Sequence, residues 1–266
     1  MKKSSSFPSR GSRGDSIVEV RYKKEFQDLV ADYFHLLLYY YDQGEQGDCL
    51  PERTGRFNPG QDEDTAGLTQ REPYMNSLAR IFDNHAGDYD RWFDEHDDVY
   101  QAQLRMLRAA LPDSDRGLEV GVGSGRFAVP LGIHCGIDPS PALLRIAKGR
   151  GVEVALGVGE HLPYREHSFN VVLMMTVICF LEDPYRVFRE VCRVLLPGGT
   201  LVVGFIEKDG EIAMQYRHEK TKGRFLQFAR FRTVDEVSRY FNEAGFFSVS
   251  VIRRSRGFCV MKGQKQ

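Results

Sequence analysis

Apolar and polar positions follow a regular pattern from about residue 76 to the end of the chain. Short apolar runs rich in β-branched residues predict strands at 117–121, 134–138, 152–156, 170–175 and 199–205, with helical stretches between them. This alternation is typical of a mostly parallel sheet with helices on both faces. Two last apolar runs, 246–253 and 257–262, flank a short basic turn and predict an antiparallel hairpin. The pattern therefore predicts a doubly wound α/β fold whose seven-stranded sheet ends in that hairpin.

Helix start signals agree with this pattern. Ser140 and Asp183 each precede a proline, which is the order of an N-cap followed by a first-turn proline. Thr233 and Glu236 have the spacing of a capping box. Three helices are therefore predicted to begin at these positions.

The N-terminal part of the chain has a different composition. Residues 1–15 and 43–73 are polar and rich in small residues, which predicts poor order, whereas apolar residues at helical spacing predict an amphipathic helix over about 22–41. We interpret 1–74 as an N-terminal extension, largely disordered apart from this helix, and 75–266 as one domain. Two explanations stay open: the helix docks on the core, or Met75 is the genuine start and the extension is appended.

Composition and charge exclude several classes of protein. The chain has 266 residues, 42% of them hydrophobic, and a net charge of −1, so no overall positive field would hold nucleic acid or anionic lipid. No apolar run reaches the roughly 18 residues that a membrane helix needs, and the first residues lack the apolar segment of a secretory signal. Five scattered cysteines suggest neither a disulfide framework nor a metal site. We expect a soluble, cytoplasmic protein without bound metal.

A glycine-rich loop follows the first predicted strand. Its sequence places Glu119 two residues before Gly121, and Gly123 and Gly125 complete an E-x-G-x-G-x-G pattern ahead of a helical segment. Ligands of open α/β sheets bind at such strand ends, where glycines let them approach the backbone. Dinucleotide enzymes use G-x-G-x-x-G instead. A nicotinamide cofactor is therefore the weaker interpretation of this loop.

Two carboxylates accompany the loop. Asp138 ends the second predicted strand, 17 residues beyond Gly121, where it can accept hydrogen bonds from the vicinal hydroxyls of a ribose. Glu119 can receive the ammonium group of an amino acid. The alternatives are that Asp138 only caps the turn before Pro139 and that Glu119 is a surface acid. Together the two acids favour a ligand in which a nucleoside is joined to an amino acid.

Five segments carry a resemblance to a known family. They read EVGVGSG, GIDPS, GVGEHLPY, SFNVVLMMTVICFLEDP and EVCRVLLPGGTLVVG, and they begin at Glu119, Gly136, Gly157, Ser168 and Glu190. In this order they resemble class I S-adenosylmethionine-dependent methyltransferases, in the small-molecule group that includes the ubiquinone and menaquinone biosynthesis enzymes (methyltransferase type 11 domain). The segment FDNHAGDYDRWF at Phe82 is similar to the helix that often precedes the fold in this group.

The resemblance implies a Rossmann-like fold, S-adenosyl-L-methionine as the cofactor, and methyl transfer to a small molecule by direct in-line displacement. The cofactor-binding residues that it implies are Glu119, Gly121, Gly123, Gly125, Asp138, Pro139, Gly159, Glu160 and Thr176. Two positions depart from the family's pattern. Many relatives have an acid where this chain has Val158, and many have two histidines where it has Cys179 and Phe180.

Catalytic residues are not apparent in the sequence. Methyl transfer depends mainly on positioning and needs a base only for a poor nucleophile. His161, His85 and Tyr89 are weak candidates for a catalytic residue, and for His161 a surface or capping role is favoured over that of a base. Tyr89 and Trp92 are candidates for a lid over the substrate or cofactor, and the alternative is an amphipathic helix that buries the tryptophan.

Residues 210–232 mix basic and aromatic side chains. This composition suits an acidic acceptor with an apolar body, and its alternative is a solvated helix with its aromatic residues in the core. Nucleic acid is not an expected partner. Two other functions stay open, a nucleotide-binding oxidoreductase and a non-catalytic S-adenosylmethionine-binding subunit. The sequence does not specify the acceptor atom or the oligomeric state.

Overall fold

The computed structural model describes residues 80–218 and 229–266. Residues 80–84 are helical. The helices that follow are α1 (Ala86–Glu95), α2 (Asp97–Arg108), α3 (Pro141–Gly149), α4 (Pro184–Val194), α5 (Glu211–His218) and α6 (Val234–Glu243). The predicted N-terminal helix and part of the basic 210–232 segment lie outside the described residues.

Seven strands form one sheet. They are β1 (Gly117–Val120), β2 (Cys135–Asp138), β3 (Glu153–Leu156), β4 (Phe169–Met175), β5 (Leu195–Ile206), β6 (Phe246–Ser255) and β7 (Phe258–Lys265). Their order is β3-β2-β1-β4-β5-β7-β6, and the first five are parallel. β7 pairs antiparallel with both β5 and β6. The predicted seven-stranded Rossmann-like sheet with a C-terminal antiparallel hairpin is confirmed.

The turn between β6 and β7 consists of two residues. Arg256 and Gly257 both have positive φ, of 50° and 93°. Two-residue hairpin turns with this backbone match the twist of the flanking strands. β6 continues beyond the predicted strand to Ser255, because the tight turn allows pairing up to its edge. At the other end of the hairpin, β7 continues to Lys265, which pairs with Phe246.

β5 begins at Leu195, four residues before the predicted strand, because α4 runs directly into it. Leu195 pairs with Phe169, and the next pair is Thr200 with Val171, so the residues between Leu195 and Thr200 form an irregular bulge. Gly198, at φ +76°, lies in this bulge. The glycines interrupt the apolar pattern, so the sequence did not reveal the first residues of β5.

The three predicted helix starts are confirmed. The side chain of Ser140 accepts a hydrogen bond from the Leu143 N–H at the start of α3, and that of Asp183 accepts one from the Arg186 N–H at the start of α4. Thr233 begins α6 with a complete capping box.

Helices cover both faces of the sheet. On one face, α1, α2, α3 and α5 pack around an aromatic and aliphatic core that contains Trp92, Phe93 and Leu107. On the other face, α4 and α6 bury Phe188, Val191 and Phe241. Alternate residues of β4 contribute to both cores, which explains its nearly continuous apolar sequence.

The two edge strands differ from the rest of the sheet. β3 has only four residues, and Leu156 at its end is 64% exposed. β6 shows two register shifts against β7, and Ser248 within it has a φ of +51°. Within 80–218 and 229–266, no helix is long and apolar enough to cross a membrane.

Candidate active site

A cavity lies at the carboxyl ends of β1, β2 and β4. It encloses about 840 Å³ including its open mouth, and residues after each of these strands line it. β1 is flanked by β2 on one side and β4 on the other, so the chain connections leave the sheet in opposite directions from this point. Open α/β sheets bind ligands at such positions.

The glycine loop forms the floor of the cavity. Gly121 and Gly123 line it and have φ values of +75° and +52°. A Cβ at Gly121 would lie 2.7 Å from Cγ2 of Val177, and one at Gly123 would lie 3.2 Å from the Tyr89 hydroxyl oxygen. Only glycine satisfies both the backbone conformation and the space at Gly121.

Gly125 has a different role from the first two glycines. It does not line the cavity, and a Cβ there would lie 3.3 Å from both the Cα of Ala147 and a methyl group of Val152. Its missing side chain lets the loop pack closely against α3.

Asp138 stands opposite the loop. Its side chain is 8% exposed, Oδ2 accepts a hydrogen bond from the Gly123 N–H at 2.9 Å, and Oδ1 accepts one from the Ser140 N–H at 2.9 Å. Burial raises the pKa of Asp138 to about 6, and the two N–H donors oppose that rise. The carboxylate is thus fixed at the cavity wall beside Pro139, with lone pairs left for further donors.

The segment after β3 forms the opposite wall. Gly157, Val158, Gly159 and Glu160 all line the cavity. Oε1 of Glu160 is buried and has no hydrogen-bond partner in the described part of the protein, and burial raises the pKa of this carboxyl group. This oxygen therefore keeps lone pairs that are free to accept a hydrogen bond.

Glu119 lies beneath the glycine loop. It is 1% exposed, it is not among the residues that line the cavity, and burial raises the pKa of its carboxyl well above the ordinary range. Its predicted contact with an ammonium group stays a prediction.

The helical segment before the sheet covers one side of the cavity. Phe82 and Tyr89 line it, with their rings 5.8 Å apart, and Phe82 also contacts Phe180 across the cavity mouth. Trp92 lies in the core and stacks on His96. Trp92 is therefore buried, as the alternative predicted, whereas Tyr89 borders the cavity and its role as a lid stays a prediction.

An ion-pair network ties α1 to the glycine loop. Asp90 accepts hydrogen bonds from Arg126 and from both terminal nitrogens of Arg150, the latter at 2.7 Å. Arg150 also donates to the Ser124 carbonyl of the loop. These donors lower the pKa of Asp90 to about 2, although burial acts in the opposite direction. The network holds Tyr89 over Gly123.

Neither histidine candidate lines the cavity. His161 contacts Arg186, and His85 lies 3.9 Å from Asp88. Cys179, in the position of a histidine in many relatives, is buried, and its thiol donates to the Thr176 carbonyl. Burial raises the pKa of the Cys179 thiol to about 12. None of the three is placed to act as a base.

Several cavity residues escaped the sequence analysis. Phe82, Leu143 and Val177 are apolar residues that periodicity assigns to the core, so no signal in the sequence identifies them. Asp83 accepts hydrogen bonds from the Ser140 hydroxyl and the Ala142 N–H at the start of α3. Its place next to the candidate site follows from how the first helical segment folds back on α3.

Comparisons with known proteins identify the family. A family model described as a methyltransferase domain matches residues 118–203. An uncharacterized protein of Methanocaldococcus jannaschii is 38% identical over 169 residues, which are 64% of this chain and 82% of that protein. A malonyl-[acyl-carrier protein] O-methyltransferase of Geobacter sulfurreducens is 32% identical over 192 residues, 65% of this chain and 71% of that enzyme.

A solved structure gives the same result. A SAM-dependent methyltransferase from Thermotoga maritima superposes with a TM-score of 0.67 and 35% identity over 71% of this chain and 100% of its own. The chain belongs to the S-adenosylmethionine-dependent methyltransferases.

This methyltransferase therefore uses S-adenosyl-L-methionine as its cofactor, as the sequence predicted. Its cavity borders seven of the nine residues that the resemblance implied, and Glu119 and Gly125 lie outside the lining. Their roles in binding stay predictions.

Proposed function

We propose that this methyltransferase transfers the methyl group to a small-molecule acceptor by direct in-line displacement. The supporting observation is the buried carboxylate of Asp138, oriented by the N–H groups of Gly123 and Ser140 at the wall of a cavity above the glycine loop. A carboxylate held in this way can accept two further hydrogen bonds from the vicinal hydroxyls of a ribose.

The remaining cofactor contacts are proposed from the shape and polarity of the same cavity. A Cβ at Gly121 would collide with Val177, so this position must be a glycine. The backbone at Gly121 and Gly123 is therefore bare, which suits close approach of the methionine part. The partnerless Oε1 of Glu160 suits the amino group of adenine. We infer that Glu160 replaces the contact that an acid at the position of Val158 provides in many relatives.

The chemistry depends on placement and exclusion of water. Bound S-adenosylmethionine supplies a methyl group on a positively charged sulfur, which leaves as a neutral thioether. The aromatic rings of Phe82, Tyr89 and Phe180 provide an apolar border that excludes water from the reacting atoms. Among the described residues that line the cavity there is no histidine, lysine or cysteine. This lining supports an acceptor that is nucleophilic without a protein base, such as an amine or a carboxylate.

We further propose that the acceptor carries an acidic group on an apolar body. Arg232, which is half-buried, belongs to the 210–232 segment, and this segment follows β5 at the carboxyl edge of the sheet, where the cavity also lies. The Geobacter relative is named for a malonyl acceptor, which is acidic.

The free thiols of Cys135, Cys179, Cys192 and Cys259 are consistent with a cytoplasmic location.

Ligand binding followed by turnover tests the proposal. Thermal stabilisation of the full chain is measured with S-adenosylhomocysteine and, in parallel, with NADH, and radiolabelled methyl transfer to a metabolite extract is then measured. We expect stabilisation by S-adenosylhomocysteine alone and label in a small-molecule fraction.

The other outcomes separate the alternatives. Stabilisation by NADH alone would contradict the proposal in favour of an oxidoreductase. Binding of S-adenosylhomocysteine without any labelled product would favour a non-catalytic binding subunit, and label in protein or nucleic acid would contradict the small-molecule acceptor.

A further inference from the structure

Arg232 lies above the carboxyl ends of β4 and β5, next to the turn that lines the cofactor cavity. Its carbonyl accepts a hydrogen bond from the Lys208 N–H at 2.9 Å, just beyond β5. Two residues earlier, the Arg230 N–H donates to the carbonyl of Cys179 at 2.8 Å, in the turn after β4. The segment that carries Arg232 is thus fixed against both strand ends by its backbone.

Within 80–218 and 229–266, the guanidinium group of Arg232 forms no ion pair. Its Nε is buried and has no hydrogen-bond partner, and no carboxylate of the described residues lies within 4.0 Å of its nitrogens. Glu207 and Glu236 make their hydrogen bonds to other groups, although the charge of Arg232 also helps, after the hydrogen bond from the Thr233 N–H, to lower the pKa of Glu236. Glu207 binds Arg254 through both oxygens, and Glu236 accepts from the Thr233 N–H in the capping box of α6.

Arg232 lies close to residues of the cofactor cavity, although it does not itself line that cavity. Its positive charge acts on Cys179, in the turn that continues into the cavity lining at Phe180, and on the buried Tyr240. Tyr240 packs edge-to-face against Tyr185, with ring centroids 4.7 Å apart. A partly buried cation is costly unless an anion joins it.

We infer that Arg232 is a specificity-determining residue that binds the anionic group, a carboxylate or a phosphate, of the methyl acceptor. A guanidinium presents two parallel N–H groups that match the paired oxygens of either anion. This inference rests on the proposed function, since it names the chemical class of the acceptor at the same site.

The test compares matched acceptors in the full-length protein. The pairs are 4-aminobenzoate with 4-aminobenzamide, and histidine with histamine, so that each acceptor atom is an amine or imidazole nitrogen, and each is assayed for methyl transfer. Arg232→Met removes the charge, Arg232→Lys keeps the charge without the paired geometry, and Arg230→Met is the control. Arg230 is exposed and contacts Cys179 only through its backbone, so its substitution leaves that hydrogen bond intact.

We expect the wild-type enzyme to prefer the acidic member of a pair at least tenfold in kcat/KM. Arg232→Met is expected to lose that preference by lowering kcat/KM for the acid at least tenfold while changing the neutral partner less than twofold. Arg232→Lys should recover part of the preference, and Arg230→Met should retain it. A wild-type preference for neutral acceptors, or an equal loss for both members in Arg232→Met, would overturn the inference.

Anion binding decides the result if neither pair is methylated. The protein saturated with S-adenosylhomocysteine is titrated with malonate, with inorganic phosphate and with sodium chloride of equal ionic strength, and its Tm is recorded. A larger rise with malonate or phosphate in wild type, absent in Arg232→Met, supports the inference, and the stronger anion identifies the acceptor group. Equal responses of the two proteins overturn it. Failure to bind S-adenosylhomocysteine would instead contradict the proposed function.

Discussion

Protonation of Asp138 is expected to control the affinity for the cofactor and its product. The pKa of this carboxyl is raised from 3.8 to about 6 by burial, so the ionised form is disfavoured by about 3 kcal/mol in the cofactor-free protein. The direction of the pH dependence follows from which protonation state each form of the protein prefers. The folded protein prefers the neutral acid below pH 6, whereas two ribose hydroxyls prefer the carboxylate. Binding must therefore remove a proton at low pH, and the affinity falls as the pH is lowered.

The size of the change in affinity follows from the linkage between proton binding and ligand binding. If the bound carboxylate stays ionised, the dissociation constant of S-adenosylhomocysteine rises about tenfold from pH 7 to pH 5 and is nearly constant above pH 7. Asp138→Asn should remove this dependence. It also turns an amide N–H₂ toward the donors of Gly123 or Ser140, so binding at pH 7 should weaken by about 1.5 to 3 kcal/mol.

Titration calorimetry at pH 5, 6 and 7 measures both effects. Three other acids near the site must be distinguished from Asp138. The charge of Asp83 raises the pKa of Asp138, that of Asp138 raises the pKa of Glu119 after the larger effect of burial, and Glu160 lines the cavity with a pKa raised by burial. Glu160→Gln is the matched control and should keep the pH dependence. A constant affinity in wild type, or a tenfold change that persists in Asp138→Asn, would refute the reasoning.

Three further predictions concern the loop, its cover and the domain boundary. Gly123→Val should reduce cofactor affinity at least tenfold by calorimetry, because its Cβ would meet Tyr89 and its φ is positive; normal binding would make the loop purely structural. Asp90→Asn should lower the free energy of unfolding in urea by about 1 to 3 kcal/mol and speed release of S-adenosylhomocysteine. Asp94→Asn is the control, because the exposed Asp94 also pairs with Arg126. If Asp94→Asn changed the free energy of unfolding and the release rate as much as Asp90→Asn, the proposed role of Asp90 would be contradicted. A chain starting at Met75 should fold, bind cofactor and melt within a few degrees of the full chain, and insolubility of that shorter chain alone would show that the extension belongs to the domain.

The fold was largely predictable because each layer carries its own sequence signal. β4 is buried on both faces and therefore apolar throughout, and the capping residues Ser140, Asp183 and Thr233 mark helix starts locally. The start of β5 was not predictable, because Leu195 pairs with a strand that is distant in sequence and glycines follow it.

The candidate site was predictable only where backbone geometry dictates residue type. Gly121 and Gly123 must be glycine, and Asp138 ends a strand at the cavity. The cover formed by Phe82 and Tyr89 depends on side chains that meet only after the helices have packed. The same holds for the Nε of Arg232, which is buried without a hydrogen-bond partner among the described residues. Such placements result from tertiary packing and leave no periodic signal.

The irregular edge strand β6 also protects the protein from aggregation. A regular exposed edge offers a row of free N–H and C=O groups onto which another extended chain can add. The two register shifts of β6 and the left-handed Ser248 interrupt that row, and exposed Arg253 places a charge beside it. The opposite border, β3, is too short to template much pairing despite its exposed Leu156. Both edge strands, β6 and β3, therefore disfavour the addition of further strands that would lead to a fibril.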